Sequence, residues 1–434
     1  MRPIRARGEA LGEYLRGALW VLPLVAVALA LIAGSTLSRV RVPDSSPLHP
    51  LAFAGTASDA RDVLTAISAT MVTVIALVLG LTIVALQVAS TQFSPRLLRN
   101  FLRDRPNQVV LAVFVATFAY STAGLYTVGT AEAADEDFPR IAVTGAIVLV
   151  FVSLGMLVYF VHHVAHSIRI DTVMNTVARN TVRGLPAPAA PAAAQDGPGP
   201  EPAPGAVLFH SPHSGYLQTF HPERLLEEAV RQDAVVAVTA RIGDHVVAGV
   251  EPLALAWSRA GGPVTDRAAL ARALRQAVAV GPERTLQQDT AFGMRQLVDI
   301  GLRTLSPAIN DPYSAVQVLD RLSTVLCPLG ARALGDEAHT DEDGRLRVSA
   351  AGHRYAEYLD LACGQIRRYG CAEPAVCLAL LRLLGDAAAT VTDPARRAAV
   401  AEQARLVLLD AEAHVRQPAD LLPVRELAAR LGLP

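Results

Sequence analysis

Four stretches near the start of the chain carry no charged side chain for about 20 residues, the length at which an α-helix crosses a bilayer core. They run from about 18 to 38, 66 to 89, 109 to 130 and 141 to 161. The first follows arginines and ends in small residues, as a secretory signal would. Three more spans come after it, so an uncleaved first helix is expected. From 186 to 205 the sequence reads PAPAAPAAAQDGPGPEPAPG, which has no periodicity and many prolines, and this predicts a solvated linker between a membrane domain at 1–185 and a soluble part that begins at 206.

Beyond the linker the pattern changes twice. Residues 215–220 read as a strand, His221-Pro222-Glu223 starts a helix through Arg231, and two β-rich runs at 235–240 and 246–250 meet at Gly243-Asp244 like the arms of a hairpin. The string RIGDHVVAGVEPLALA is similar to the turn-and-strand pattern of biotinyl/lipoyl-like barrels, so 206–260 is expected to form a small strand-containing subdomain. After about Asp266 the apolar period becomes helical, near 266–279, 284–304, 312–326, 352–369, 373–390, 394–416 and 421–432. Asp311-Pro312 and Asp393-Pro394 each place a capping side chain before a first-turn proline. The expected fold class is therefore membrane α-helical, with four transmembrane helices, followed by an α+β, mostly helical cytoplasmic domain whose part from 261 to 434 is all helix.

Charge adds orientation. Arg2, Arg5, Arg7, Arg16, Arg96, Arg99, Arg103, Arg105, Arg169, Arg179 and Arg183 fall on one side of the four spans, against Arg39, Arg41, Arg61 and Arg140 on the other. Basic loops stay cytoplasmic, so a multi-pass protein of the plasma membrane with both termini inside is expected. No Asp, Glu, Arg or His lies within the charge-free stretches, which counts against an ion-coupled pump.

Composition removes whole classes of chemistry. With 39 basic and 40 acidic side chains there is no excess to neutralise a phosphate backbone, so nucleic acid is not an expected partner. The chain contains no lysine, which rules out a P-loop, a Schiff-base enzyme and a lipoyl or biotinyl carrier. Cys327, Cys363, Cys371 and Cys377 have no metal-site spacing and read as core thiols, and no cofactor is expected.

Three features could carry function. Along the second span Ala66, Thr73, Gly80, Gln87 and Ser94 recur every seventh residue, with Ala69, Ala76 and Ser90 on the companion position. Such a seam either packs helices closely or lines a path with neutral hydrogen-bonding groups. His162 and His166 would share a helix face after the fourth span, either as interfacial histidines or as half of a metal pair. In the second half Arg295, Asp299 and Arg303 succeed one another at four-residue spacing, and the helix breaks at Ser306-Pro307 and restarts at Asn310-Asp311-Pro312. An ion-paired helix, a proline turn and a capped helix would explain these residues without a ligand.

The strings VALQVASTQFSPRLLRNFLRD, FVHHVAHSIRI and QDTAFGMRQLVDIGLRTLSPAINDPYSA occur in this order, and through them the chain resembles a family of uncharacterised, predicted bacterial membrane proteins, a domain of unknown function. The resemblance implies that Asp289, Arg295, Asp299, Arg303, Ser306, Pro307, Asn310, Asp311 and Pro312 form the family signature, with structural, ligand-binding and coupling roles all open. Two function classes are consistent with these features. The leading one is a homo-oligomeric pore or channel-like protein lined by second spans and gated by the cytoplasmic domain. The other is a membrane-anchored sensor or scaffold whose cytoplasmic domain binds a ligand or partner. An enzyme is the weakest class, because no nucleophile–base pair can be named, even among His210, His213 and His221. The expected partners are the lipid bilayer, further copies of the chain, and a small molecule or ion of unidentified kind.

Overall fold

The structure is a computed structural model and describes residues 20–38, 52–92, 105–129, 138–167, 169–185, 194–195 and 200–432. Packing divides the chain into two units, Met1–Val173 and Met174–Pro434.

The first unit is built from α1 (Val21–Leu37), α2 (Ala57–Gln92), α3 (Arg105–Gly129) and α4 (Arg140–Ser167). Three of these stretches, Ala57–Val88, Arg105–Val128 and Arg140–Ser167, are long and apolar enough to cross a membrane. The fourth expected span is the shorter apolar helix α1, at 17 residues. α2, α3 and α4 overrun their charge-free windows, because helical hydrogen bonding continues past the apolar stretch to side chains such as Asp59, Arg105 and Arg140. The core of this unit is Leu64, Met71, Val78, Phe114, Tyr120 and Phe160. α3 packs against α1, α2 and α4. Small residues permit the closest approach: a Cβ on Gly34 of α1 would stand 3.2 Å from the Ala123 Cβ of α3.

The second unit begins within α5 (Ile170–Arg183), whose Met174, Val177, Ala178 and Thr181 are buried. The packing boundary therefore falls before the Pro/Ala-rich stretch rather than at it. That stretch also contributes a short strand, β1 (Ala194–Gln195), paired with Asp336 and Glu337; its residues 186–193 and 196–199 lie outside the described residues. Next come β2 (Val207–His210), β3 (Gly215–Phe220), α6 (Glu223–Arg231), β4 (Ala234–Val238), β5 (His245–Val246), β6 (Pro252–Ser258), α7 (Arg267–Ala277) and β7 (Val278–Gly281). The remainder is α8 (Thr290–Thr304), α9 (Pro312–Gly330), β8 (Asp336–Thr340), β9 (Leu346–Ala350), α10 (Tyr355–Gly370), α11 (Pro374–Thr390), α12 (Pro394–His414) and α13 (Pro418–Arg430).

Two expectations are corrected here. The runs around Gly243-Asp244 are not hairpin partners: β4 lies in a six-stranded sheet of order β1-β8-β9-β4-β6-β2, and β5 in a three-stranded sheet of order β5-β3-β7. The turn between them is a crossover from one sheet to the other. Nor is the part beyond 261 all helix, since β7, β8 and β9 belong to these sheets. β9 pairs in parallel with β4, Val236 opposite Val348, an arrangement that no local pattern announces. The sheets share a core with α6 and α7 that includes Phe209, Leu217, Val236, Leu253, Leu270 and Val348. The caps hold as read: Asp311 accepts from the Ser314 N–H and Asp393 from the Arg396 N–H.

Candidate functional site

The signature residues are spread along α8 and the turn after it, and they form separate devices rather than one pocket. At the start, Asp289 caps α8 by accepting the Phe292 N–H at 2.8 Å, and its other bonds come from Arg284 Nε and Nη2, both at 2.8 Å. The Asp289 side chain is only 2% exposed and that of Arg284 26%, so this bidentate pair is largely withdrawn from water. Halfway along, Arg295 Nε lies 3.2 Å from Asp299, and its Nη1 donates to Gln365 of α10 at 2.7 Å, joining two helices. At the end, Ser306 Oγ donates to the Arg303 carbonyl at 2.6 Å and the Asn310 N–H to the Ser306 carbonyl at 2.8 Å. Asn310 closes this turn at φ +50, a left-handed conformation that Asn tolerates better than most residues. Asp311 caps α9, with Pro312 in its first turn and Pro307 exposed.

Around Asp289 the structure assembles groups that sequence reading missed. The turn Arg241-Ile242-Gly243-Asp244 lies against the Arg284–Asp289 pair, and Gly243 sits at φ +92. A Cβ there would meet Arg284 Nη2 at 2.6 Å and clash with the Asp289 carboxylate, so both conformation and space require glycine. Arg241 Nη1 donates to Glu357 Oε1 at 2.7 Å and lies 3.5 Å from His353 Nδ1. His353 and Glu357 stand four residues apart at the start of α10, and the His353 ring meets Tyr358 edge-on at 5.6 Å. The available sequence signal was this His-x-x-x-Glu spacing beside a capped helix start. Nothing local pairs it with the turn at Gly243, more than a hundred residues away.

The electrostatics result from this packing. Burial and then the Arg241 guanidinium lower the His353 pKa, outweighing Glu357, Asp244 and Asp289, which pull it up. For Glu357, burial raises the pKa, but the Arg354 N–H and the Arg241 guanidinium outweigh it and leave the carboxyl below its ordinary range. Burial, with Asp289 and Glu357 adding to it, pushes the Tyr358 phenol up. A base whose pKa is lower in the folded state contributes stability fully above its ordinary value, about 6.5, and loses that contribution as pH falls through the lowered one. The wild type is therefore expected to lose stability between about pH 6.5 and 5 more steeply than His353→Gln. Urea unfolding of the two proteins at both pH values measures this, and parallel losses would show that His353 does not contribute.

Ala240 and Ile242 of the same turn line a crevice of about 270 Å³. Leu217, Phe220, Val238 and Ala350 form its apolar wall, and Gly184, directly after α5, completes one side. Gln288 and Glu337 supply polarity. The Gln288 amide is occupied, accepting from the Phe220 N–H at 2.8 Å and donating to its carbonyl at 3.2 Å. Glu337 is more open: its side chain is 60% exposed, and His339 Nε2 is 3.6 Å from its carboxylate. The His339 ring packs against the crevice wall at Phe220, with centroids 6.2 Å apart.

In the membrane unit the seam of α2 faces outward. Ala66, Ala69, Thr73, Ala76, Gly80 and Gln87 are exposed, and the buried line of α2 is Leu64, Ile67, Met71, Val78 and Ala85. Gly80 has nothing within 4 Å of where a Cβ would stand. The Ser90 side chain and Ser94 lie outside the described residues. The buried polar groups sit on α3 instead: Asn107, Gln108, Thr117 and Ser121, with Thr117 Oγ1 2.9 Å from Ser153 Oγ of α4. His162 and His166 do share a face, with ring centroids 4.2 Å apart, and among the described residues no group of three metal-ligating side chains forms. Cys363, Cys371 and Cys377 are buried, and burial pushes the Cys363 thiol up to about 12.

Comparison with known proteins places these features in a family. The chain is 45% identical over 428 residues to the uncharacterized protein Rv1290c of Mycobacterium tuberculosis, an alignment covering 98% of this chain and 82% of that one. It is equally similar, over the same shares, to the uncharacterized protein Mb1321c of Mycobacterium bovis. No solved structure matches the chain. Residues 16–386 match the model of a family described as predicted membrane protein (DUF2254), and this chain belongs to that family.

Proposed function

We propose that this protein is a multi-pass sensor of the bacterial plasma membrane, in which four helices anchor and pair the chain and the C-terminal unit binds a small ligand on the cytoplasmic side. The observation that carries the reading is the crevice. Gly184 forms part of its wall, and Gly184 directly succeeds α5, which begins at Ile170 just after the last membrane helix ends at Ser167. A ligand in the crevice therefore touches the end of the segment that leads out of the membrane. Counting α1 as the fourth span is supported by its uncharged, apolar sequence and by its close contact with α3. The distribution of arginines supports cytoplasmic termini. The outward seam of α2 supports pairing with a second copy, since small residues let helix backbones approach in lipid.

The same seam favours a second reading, a homo-oligomeric pore lined by Thr73 and Gln87 and gated by the C-terminal unit. Right-side-out vesicles from expressing cells separate the two. Under the sensor reading they hold a potassium diffusion potential as long as vesicles lacking the protein, and an Ala260→Cys variant reacts with a membrane-impermeant maleimide only after permeabilisation. A leak that Thr73→Val and Gln87→Leu abolish would replace the sensor with the pore. Labelling of intact vesicles would reverse the orientation.

A further inference from the structure

The crevice has two chemically distinct parts. Its floor is aliphatic and aromatic: Leu217, Val238 and Phe220 are buried, and Ala350 and Ile242 close the sides. Its polar edge comes from β8, where Glu337 lines the crevice and His339, two residues on along the same strand face, packs behind it against Phe220. Among the described residues, the basic side chain within ion-pairing distance of Glu337 is His339, whose Nε2 is 3.6 Å away and itself buried without a hydrogen bond. The Gln288 amide is committed to the Phe220 backbone, so the open polar function lining the apolar hollow of about 270 Å³ is the Glu337 carboxylate.

We propose that this crevice is a binding site for a small organic ammonium compound, with an aromatic or branched aliphatic body on the apolar floor and the ammonium group at Glu337. The volume takes about ten non-hydrogen atoms, in keeping with small-ligand pockets that are mostly apolar with a few placed polar groups. An anion is disfavoured, because it would bring a second negative charge beside the Glu337 carboxylate. The inference rests on the sensor reading and names its ligand class.

The test uses the full chain in lipid nanodiscs and three probes of one size, phenethylamine, 2-phenylethanol and phenylacetate, with binding measured by ligand-observed NMR. A probe of this size is expected to bind at about millimolar concentration. Phenethylamine should bind best and phenylacetate worst. Glu337→Gln should weaken phenethylamine about three- to five-fold, the size of one partly exposed charge pair, and leave 2-phenylethanol unchanged. Ala240→Phe should fill the hollow and abolish binding of all three, and Ala351→Leu, at another residue that lines it, provides a second filling variant if the first melts below wild type. Equal affinity for the amine and the carboxylate would overturn the assignment, as would binding that survives a filling variant of normal stability. Binding that appears only after residues 186–193 are replaced by a Gly/Ser stretch would also overturn it, by giving the crevice to the chain itself. Leaking vesicles would sink the sensor reading, whereas a crevice that binds no probe in a protein whose vesicles stay tight sinks only this inference.

Discussion

Asp289→Ala is expected to destabilise the C-terminal unit by about 3 to 4 kcal/mol, adding the loss of a buried ion pair at the low end of its range to the loss of an N-cap. The low end applies because Arg284 keeps part of its guanidinium in water. Neighbouring substitutions separate the two contributions. Asp289→Asn retains an oxygen for the Phe292 N–H but loses the charge, so about 2 kcal/mol is expected. Arg284→Gln leaves a carboxylate that is 2% exposed without its cation and should cost about 3 kcal/mol. The double variant Asp289→Asn with Arg284→Gln should be no worse than Arg284→Gln alone, because it strands no charge. Urea unfolding in a Trp20→Phe background, monitored by the fluorescence of buried Trp257, reads the C-terminal unit by itself. Equal losses for Asp289→Ala and Asp289→Asn would mean that the cap contributes nothing.

The second large effect reverses an ordinary rule. Replacing glycine by alanine inside a helix usually stabilises it by about 1 kcal/mol. Gly293 lies in α8, and a Cβ there would reach the Thr181 side chain of α5, standing 2.8 Å from its Cγ2 and 2.9 Å from its Cβ and overlapping its hydroxyl. Gly293→Ala is therefore expected to destabilise by about 1 to 3 kcal/mol, the cost of overpacking, and Gly293→Val by more. Thr181→Gly should relieve most of the clash in the double variant, which distinguishes loss of the α5–α8 contact from a defect within α8. A Gly293→Ala protein that melts above wild type would show that α5 does not lie on α8 in this way.

The residues behind these effects were not equally visible in the chain. Asp289 was legible as part of the resembling string, and only the structure shows it as the cap of α8. Arg284 was not, because the apolar period ran the expected helix from 284, whereas it starts at Thr290 and the irregular segment before it turns the guanidinium back onto Asp289. The Arg295–Asp299 spacing announced its ion pair, yet the bond from Arg295 to Gln365 depends on α10 lying across α8. The periodicity on α2 left close packing and a lined path both open; within one chain the larger Leu64, Ile67, Met71 and Val78 face inward and Ala66, Ala69, Thr73, Ala76, Gly80 and Gln87 of the seam are exposed. Among the described residues, most of the buried hydroxyl and amide groups of this unit belong to α3, where three neighbouring helices surround it, and Ser153 of α4 faces Thr117.

From sequence alone came what depends on local chemistry: apolar stretches long enough to span, the arginine asymmetry, the capped helix starts at Asp311 and Asp393, and the exclusion of lysine-dependent activities. These depend on charge, length and backbone hydrogen bonding within a few residues. The tertiary structure alone decided that Gly243 turns the chain from one sheet into the other, that β4 and β9 pair in parallel across more than a hundred residues, and that Gly184, Ile242 and Glu337 meet around one crevice. Such contacts are set by the burial of faces from distant elements against one another, and a one-dimensional pattern records which faces are apolar without recording their partners.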